Sequence, residues 1–209
     1  MSNRQSSATE GVSNVTQAWL RASSHLMNSA VEANRATLAA FGLVDRDGEE
    51  DTRADAGTPS VAYNREDWVT ERTVDRPEHI TVGDHVAFTK TISQDDVAVF
   101  AEASGDTNRL HLDPEFAEDT RFGRNIAHGT LVSGLISAAL ARLPGLTIYL
   151  SQDVEFTGPV DIGDRLTATV EIVEDLGNNR YLLSTDVHKE DGKQIIEGEA
   201  VVLIDDVPE

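Results

Sequence analysis

The stretch GTLVSGLISAALARL, residues Gly129 to Leu143, decides the fold. Its apolar side chains fall on nearly all sides of a helix and not on one stripe, so this helix belongs at the centre of a domain. Pro144-Gly145 ends it. Beyond that point apolar residues alternate with polar ones, as they do on strands with one buried face. The runs are Ile148, Leu150, Val154 and Phe156; Leu166, Ala168, Val170 and Ile172; Tyr181, Leu183, Thr185 and Val187; and Ala200, Val202 and Ile204. Gly158-Pro159, Gly163-Asp164, Gly177-Asn178-Asn179 and Asp191-Gly192 supply the turns between them.

Upstream of the helix, Val86, Phe88 and the Thr-rich residues after them read as an earlier strand. Ser93-Gln94-Asp95-Asp96 is a helix cap with an acidic third position, opening a short helix through Ala103. Ser104 to Leu112 reads as loop. One buried helix, four antiparallel strands after it and one before it describe an α+β domain in which a curved sheet wraps around a helix, the hot-dog arrangement.

Nearer the N-terminus, Val12, Val15, Trp19, Ala22 and Leu26 recur at spacings of three and four, which predicts a helix over 12–41. Its stripe continues through Ser29, Ala33, Ala36 and Ala40, so the apolar face is built largely of small residues. The segment GLVDRDGEEDTRADAGTPS, residues 42–60, mixes glycine, proline and acidic residues without periodicity, the composition of a self-repelling linker. The expected organisation is an N-terminal amphipathic helical extension over 1–41, an acidic flexible linker over 42–60 and the hot-dog domain over 61–209. Between 61 and 78 the pattern is ambiguous, with Tyr63 and Trp68 as the only large anchors.

A chain of 209 residues with 39% hydrophobic content has room for one packed domain plus an appendage. Its 37 acidic and 17 basic residues give a net charge of -20, which argues against nucleic acid as a partner. Three residues are lysine: Lys90, Lys189 and Lys193. An acid-rich, lysine-poor surface suits a high-salt cytoplasm, because at molar salt the Debye length falls to about 3 Å and self-repulsion is screened. With no cysteine there are neither disulfides nor thiolate metal sites. Residues 1–11 lack the apolar core of a signal peptide, and no apolar run is long enough to span a bilayer. A cytoplasmic protein without a transmembrane segment is therefore expected.

Polar chemistry is densest between Ala103 and Asp113, where Asp106, Asn108 and His111 fall within six positions. A carboxylate near an imidazole can hold one water between them, accepting one of its protons while the ring orients it or returns a proton to product. Ser-Gly-Asp-x-Asn is also good turn chemistry, since Asp and Asn side chains bond their own backbone. A second cluster, Ile126-Ala-His-Gly-Thr130, stands at the entrance to the central helix. Free N–H groups at a helix N-terminus suit a developing oxyanion, and Gly129 would allow close approach. The plainer readings are that the glycine eases helix entry and that His128 is a core histidine.

Taken together, Ser104-Gly-Asp-x-Asn-x-Leu-His111, Asp113-Pro, Phe116-Ala, Ile126-Ala-His-Gly-Thr130, Ile148-Tyr-Leu with Phe156, Pro159-Val, Gly163-Asp164 and Gly198-Glu-Ala-Val-Val202 resemble the MaoC-like (R)-specific enoyl-CoA hydratases. The resemblance covers about Val82 to Ile204 and does not reach the N-terminal residues. It implies that Asp106 and His111 are the catalytic pair that activates water. It also implies that Asn108 supports their loop, that the Gly129 N–H binds the thioester oxygen, that Ser137 faces the site and that Leu140 lines the acyl pocket. One departure is Arg109, where the family usually has proline; the loop is expected to keep its shape through surrounding hydrogen bonds.

The implied reaction is reversible hydration of trans-2-enoyl-CoA to (R)-3-hydroxyacyl-CoA, with no cofactor and no metal. A hot-dog thioesterase and a non-catalytic acyl-CoA binding module are the alternatives, since one fold hosts many chemistries. The resemblance further implies a homodimer and a supply of monomers for polyhydroxyalkanoate synthesis. The N-terminal helix could then contact a storage granule or a granule protein, or could pack on its own domain.

Overall fold

The computed structural model describes residues 60–208. The expected helix over 12–41, nearly all of the expected linker and the boundary between them lie outside the described residues.

Strand β1 (Val69–Arg72) leads through a 3-10 turn (Pro77–His79) into β2 (His85–Thr91). Helix α1 (Gln94–Ser104), two short helices, α2 (Arg109–Leu112) and α3 (Pro114–Glu118), and the central helix α4 (Gly129–Leu140) follow. Strands β3 (Leu146–Phe156), β4 (Arg165–Gly177), β5 (Arg180–Lys189) and β6 (Gln194–Asp205) complete the chain. All pair antiparallel in one sheet of order β1-β2-β4-β5-β6-β3.

The sheet wraps α4 as the hydrophobic pattern requires. Val132, Leu135, Ile136, Ala139 and Leu140 of α4 are buried in one cluster with Val86 and Phe88 of β2, Leu166, Ala168, Val170 and Ile172 of β4, Leu183 and Val187 of β5, and Ala200, Val202 and Ile204 of β6. Each large aliphatic side chain buried here contributes roughly 1.5–3 kcal/mol. Local chemistry agrees with this packing. Ser93 and Asp96 form a complete capping box at the start of α1. Asn178 and Asn179 both take positive φ, 54° and 60°, the backbone that a two-residue hairpin between β4 and β5 needs.

Four features depart from the sequence reading. The ambiguous segment contains strand β1, which pairs with β2 and makes the sheet six-stranded. It is also tied to the chain just past the central helix: the buried Arg142 donates from Nε to Thr70 Oγ at 2.9 Å and from a terminal nitrogen to Ala138 O at 2.7 Å, while its guanidinium lies 4.0 Å from the Phe88 ring centroid. Sequence alternation could not show this, because β1 is four residues long and largely exposed. Second, α4 stops at Leu140 and not at Leu143, which closes a turn onto the Leu140 carbonyl. Third, the pairing of β3 with β6 shifts register between Tyr149 and Ser151. That bulge breaks the period of two, so Tyr149 and Val154 pack on the core while Phe156 stays exposed. Fourth, the supposed loop from Ser104 to Leu112 contains α2, capped by the Asn108 side chain on the Leu110 N–H at 3.1 Å.

No helix among the described residues is long and apolar enough to cross a membrane.

Candidate active site

Asp106 and His111 are carried by the chain between α1 and α3. Helix α1 ends on Gly105, whose φ of 77° turns the backbone into a left-handed cap. The Asp106 N–H then donates to Ser104 Oγ at 3.1 Å, and the Asn108 N–H donates to Asp106 Oδ1 at 3.3 Å. Asn108 is exposed, and its side-chain oxygen is used as the cap of α2. One turn later His111 is delivered to the interior. Arg109 takes no part in capping. It forks onto Asp113 Oδ2 at 2.9 and 2.6 Å and lies over the Phe116 ring, 4.5 Å from its centroid. Asp113 caps α3, and the Phe116 N–H together with Arg109 holds its carboxyl below the usual range.

His111 Nδ1 stands 2.7 Å from the Ile126 carbonyl oxygen. A carbonyl only accepts, so Nδ1 carries the hydrogen and, in the neutral ring, Nε2 is left with its lone pair. His128, almost fully buried, uses Nε2 in the same way on the Asp106 carbonyl at 3.0 Å, and its Nδ1 has no partner among the described residues. The two rings stack with centroids 3.9 Å apart, and Phe100 packs on the far side of His128 at 4.9 Å. One carboxylate oxygen of Asp106 and one ring nitrogen of each histidine lie within 4.8 Å of one another. Two imidazoles and a carboxylate are a donor set that divalent transition metals accept. Stacked rings, however, direct their in-plane lone pairs side by side and not at one centre, and each ring already spends a nitrogen on a carbonyl. The arrangement fits proton transfer better than ligation.

Beside His111 opens a cavity of about 480 Å³, lined among others by Phe122, Ile126, Gly129, Val132, Phe156 and Val160. Gly129 is the first residue of α4, and no side chain caps that helix end. Its N–H groups are therefore available to a ligand, backed by the positive end of the helix dipole. Close approach is what the glycine provides, since a Cβ there would stand 3.0 Å from Phe156 Cε1.

The structure thus brings Asp106 to His111, puts His111 and Gly129 on the wall of one cavity, and leaves Asn108 as a backbone cap nearby. It does not bring Ser137 or Leu140 to this cavity: Ser137 is exposed on α4, and Leu140 is buried in the core with 1% exposure. The sequence reading left His128 as a core histidine and so missed its bond to Asp106. The signal was present in Ile126-Ala-His-Gly, but only the fold reveals which carbonyl the ring meets. Phe100 carried no signal of its own, and Phe156 entered through the strand pattern and the resemblance, with no role at the site attached to it.

A protein-family model for the MaoC like domain matches residues 73–203, well over half of the chain. The chain belongs to the MaoC-like family. Among its relatives is the (R)-specific enoyl-CoA hydratase of Rhodospirillum rubrum, 41% identical over 129 residues that span 61% of this chain and 90% of the relative. Two solved structures are also similar. The R-hydratase PhaJ1 of Pseudomonas aeruginosa, unliganded, superposes with a TM-score of 0.60 at 38% identity, covering 67% of this chain and 90% of that one. The (R)-hydratase of Aeromonas caviae involved in PHA biosynthesis gives 0.58 at 37% identity, covering 61% and 98%. The MaoC-like match begins at Thr73, so β1 and the residues that tie it to Arg142 lie ahead of it.

Proposed function

We propose that this protein catalyses the reversible hydration of a trans-2-enoyl-CoA to the (R)-3-hydroxyacyl-CoA. The observation that carries the reading is the convergence of the Asp106 carboxylate and His111 beside a cavity whose wall includes the uncapped helix end at Gly129. The names of the relatives support it.

Two acceptors, the Asp106 carboxylate and the His111 Nε2 lone pair, can hold the two hydrogens of one water, leaving the oxygen lone pair free to face C3 of the substrate. As the C3–O bond forms, one acceptor takes a water proton and the electron pair of the double bond moves toward the thioester. The charge that collects on the thioester oxygen is met by the Gly129 N–H. The proton held by the acid/base pair then passes to C2, which regenerates the site. Water is the only co-reactant, so the addition calls for no cofactor.

Crotonyl-CoA tests this reading when the enoyl absorbance and free thiol are followed in parallel. Loss of the olefin with the thioester intact is expected. Thiol release with the olefin intact would select a thioesterase, and binding without turnover by folded protein would select an acyl-CoA binding module.

Two further elements belong to the same reading. Among the described residues β3 pairs only with β6, which supports a homodimer in which a second copy covers that edge. A cytoplasmic enzyme supplying (R)-3-hydroxyacyl monomers for polyhydroxyalkanoate synthesis fits the reaction, with residues 12–41 as the part that would meet a granule.

A further inference from the structure

A second cavity, of about 240 Å³, lies along α4 and shares no lining residue with the one beside His111. Phe88 of β2, Phe100 of α1, Leu131 and Leu135 of α4 and Trp68 make its apolar wall. Trp68 comes before Thr73, where the MaoC-like match begins, so that part of the wall lies outside the family domain.

Three features of this space are not explained by packing within the chain. Gly134 lines it from the middle of α4, where a Cβ would meet nothing within 4 Å. Glycine is a poor helix former, and no positive φ calls for it at this position. What it leaves is room. Next, Lys90 follows Val86 and Phe88 on the inward face of β2 and is itself buried, with 9% exposure. Its ammonium spends one of three donors on Asp96 Oδ1 at 2.8 Å, while Asp96 Oδ2 is taken up by the Ser93 N–H and hydroxyl at 2.8 Å each. Finally, the Trp68 Nε1–H is buried and has no partner among the described residues.

Charge around the cavity is unbalanced in the same sense. Arg65, Lys90 and Arg142 stand 5.5, 5.9 and 5.6 Å from the Trp68 ring centroid, each within range of the ring's negative face. Lys90 has Asp96, but neither Arg65 nor Arg142 makes an ion pair with a carboxylate among the described residues. One carboxylate therefore serves three cations in a protein whose net charge is -20. Donors and positive charge at an apolar cavity call for an occupant that brings an acceptor, a negative charge and an apolar body. At the liquid share of about 30 Å³ per water, the volume takes roughly eight water-sized atoms. Hexanoate has about that many non-hydrogen atoms.

We propose that this cavity is a second, non-catalytic site that binds an apolar monocarboxylate, its chain against Phe88, Phe100 and Leu135 and its carboxylate at Lys90 and the Trp68 N–H. The site uses neither Asp106 nor His111, so it stands independently of the hydratase reading.

Fluorescence of the full chain tests it. Trp19 and Trp68 are the two tryptophans, so Trp19→Phe leaves Trp68 as the reporter. Titration with sodium hexanoate, at ionic strength held constant with KCl, should change its emission to saturation. Hexan-1-ol, the same chain without the charge, should bind about ten-fold more weakly. Lys90→Met keeps an apolar stem and removes the ammonium, and it should bring hexanoate down to the level of the alcohol. Gly134→Leu fills the open space and favours the helix, so it should abolish the saturable response without lowering the melting temperature. The proposal is overturned if hexanoate gives no saturable change, as when a second copy of the chain occupies this face of α4. It is equally overturned if the alcohol binds as tightly as the acid, or if folded Gly134→Leu binds hexanoate like its parent. A chain that binds hexanoate here yet hydrates no enoyl thioester would uphold the site and contradict the hydratase reading.

Discussion

His111 and His128 stack with their centroids 3.9 Å apart and their planes tilted by 34°, and each ring is tied to the backbone that leads to the other. His111 donates to the carbonyl of Ile126, two residues before His128, while His128 donates to the carbonyl of Asp106, five residues before His111. This reciprocal tie holds the Asp106–His111 segment against the entrance of α4, where the proposed mechanism places the thioester oxygen. In that mechanism His128 is a positioning residue.

His128→Phe keeps a stacked ring and removes the N–H. Because misplacing a catalytic group by about 1 Å can cost on the order of 10²-fold in rate, we expect kcat to fall roughly 10- to 100-fold with KM little changed. Steady-state kinetics alongside thermal melting would check this; an unchanged kcat at an unchanged melting temperature contradicts the tie.

Asp106→Asn and His111→Gln each remove one acceptor of the water's hydrogens. Each should lower kcat by about 10² to 10⁴, and the double variant should be little worse than the poorer single one, because the pair acts as a unit. Independent, multiplicative losses would argue that the two side chains do not share one water.

Gly129→Ala places a methyl 3.0 Å from Phe156 Cε1. The expected loss in kcat/KM is therefore coupled to the ring: Gly129→Ala should cost less in a Phe156→Ala background than alone. A double-mutant cycle reads this directly, and strict additivity would mean that the ring is not what excludes a side chain there.

Burial pushes the Tyr149 hydroxyl up to about 12 from its ordinary 10, and its oxygen is buried without a partner among the described residues. A folded-state pKa above the unfolded one gives stability that is complete below pH 10 and is lost as pH rises toward 12. Denaturant titrations across that window should record the decline. Tyr149→Phe should flatten it and leave stability at pH 7 equal or higher, since an unpaired buried hydroxyl is removed.

The frame of the fold was legible because its core obeys simple periods. Leu166, Ala168, Val170 and Ile172 alternate cleanly and are all fully buried, and the Ser93–Asp96 capping box stands where the spacing put it. What stayed hidden depends on contacts between distant segments. The bulge after Tyr149 reverses which β3 residues face inward, and no local rule marks it. Strand β1 is too short and exposed to carry a pattern, and nothing in the spacing marks Arg142 as the residue that holds it. At the candidate site, spacing and resemblance pointed to Asp106, His111 and Gly129 and resemblance alone to Ser137 and Leu140; the last two do not line the cavity within this chain. The role of His128 needed two pieces of information that only folding supplies: its burial and the carbonyl it faces.

The measurement that bears most directly on the central claim is hydration of crotonyl-CoA by the purified protein in molar KCl, with the configuration of the product determined. A pair fixed on one face of the substrate should give the (R)-3-hydroxy thioester as the sole enantiomer, with its formation lost in Asp106→Asn. Persistence of the enoyl absorbance with folded protein, or an (S) or racemic product, would contradict the account.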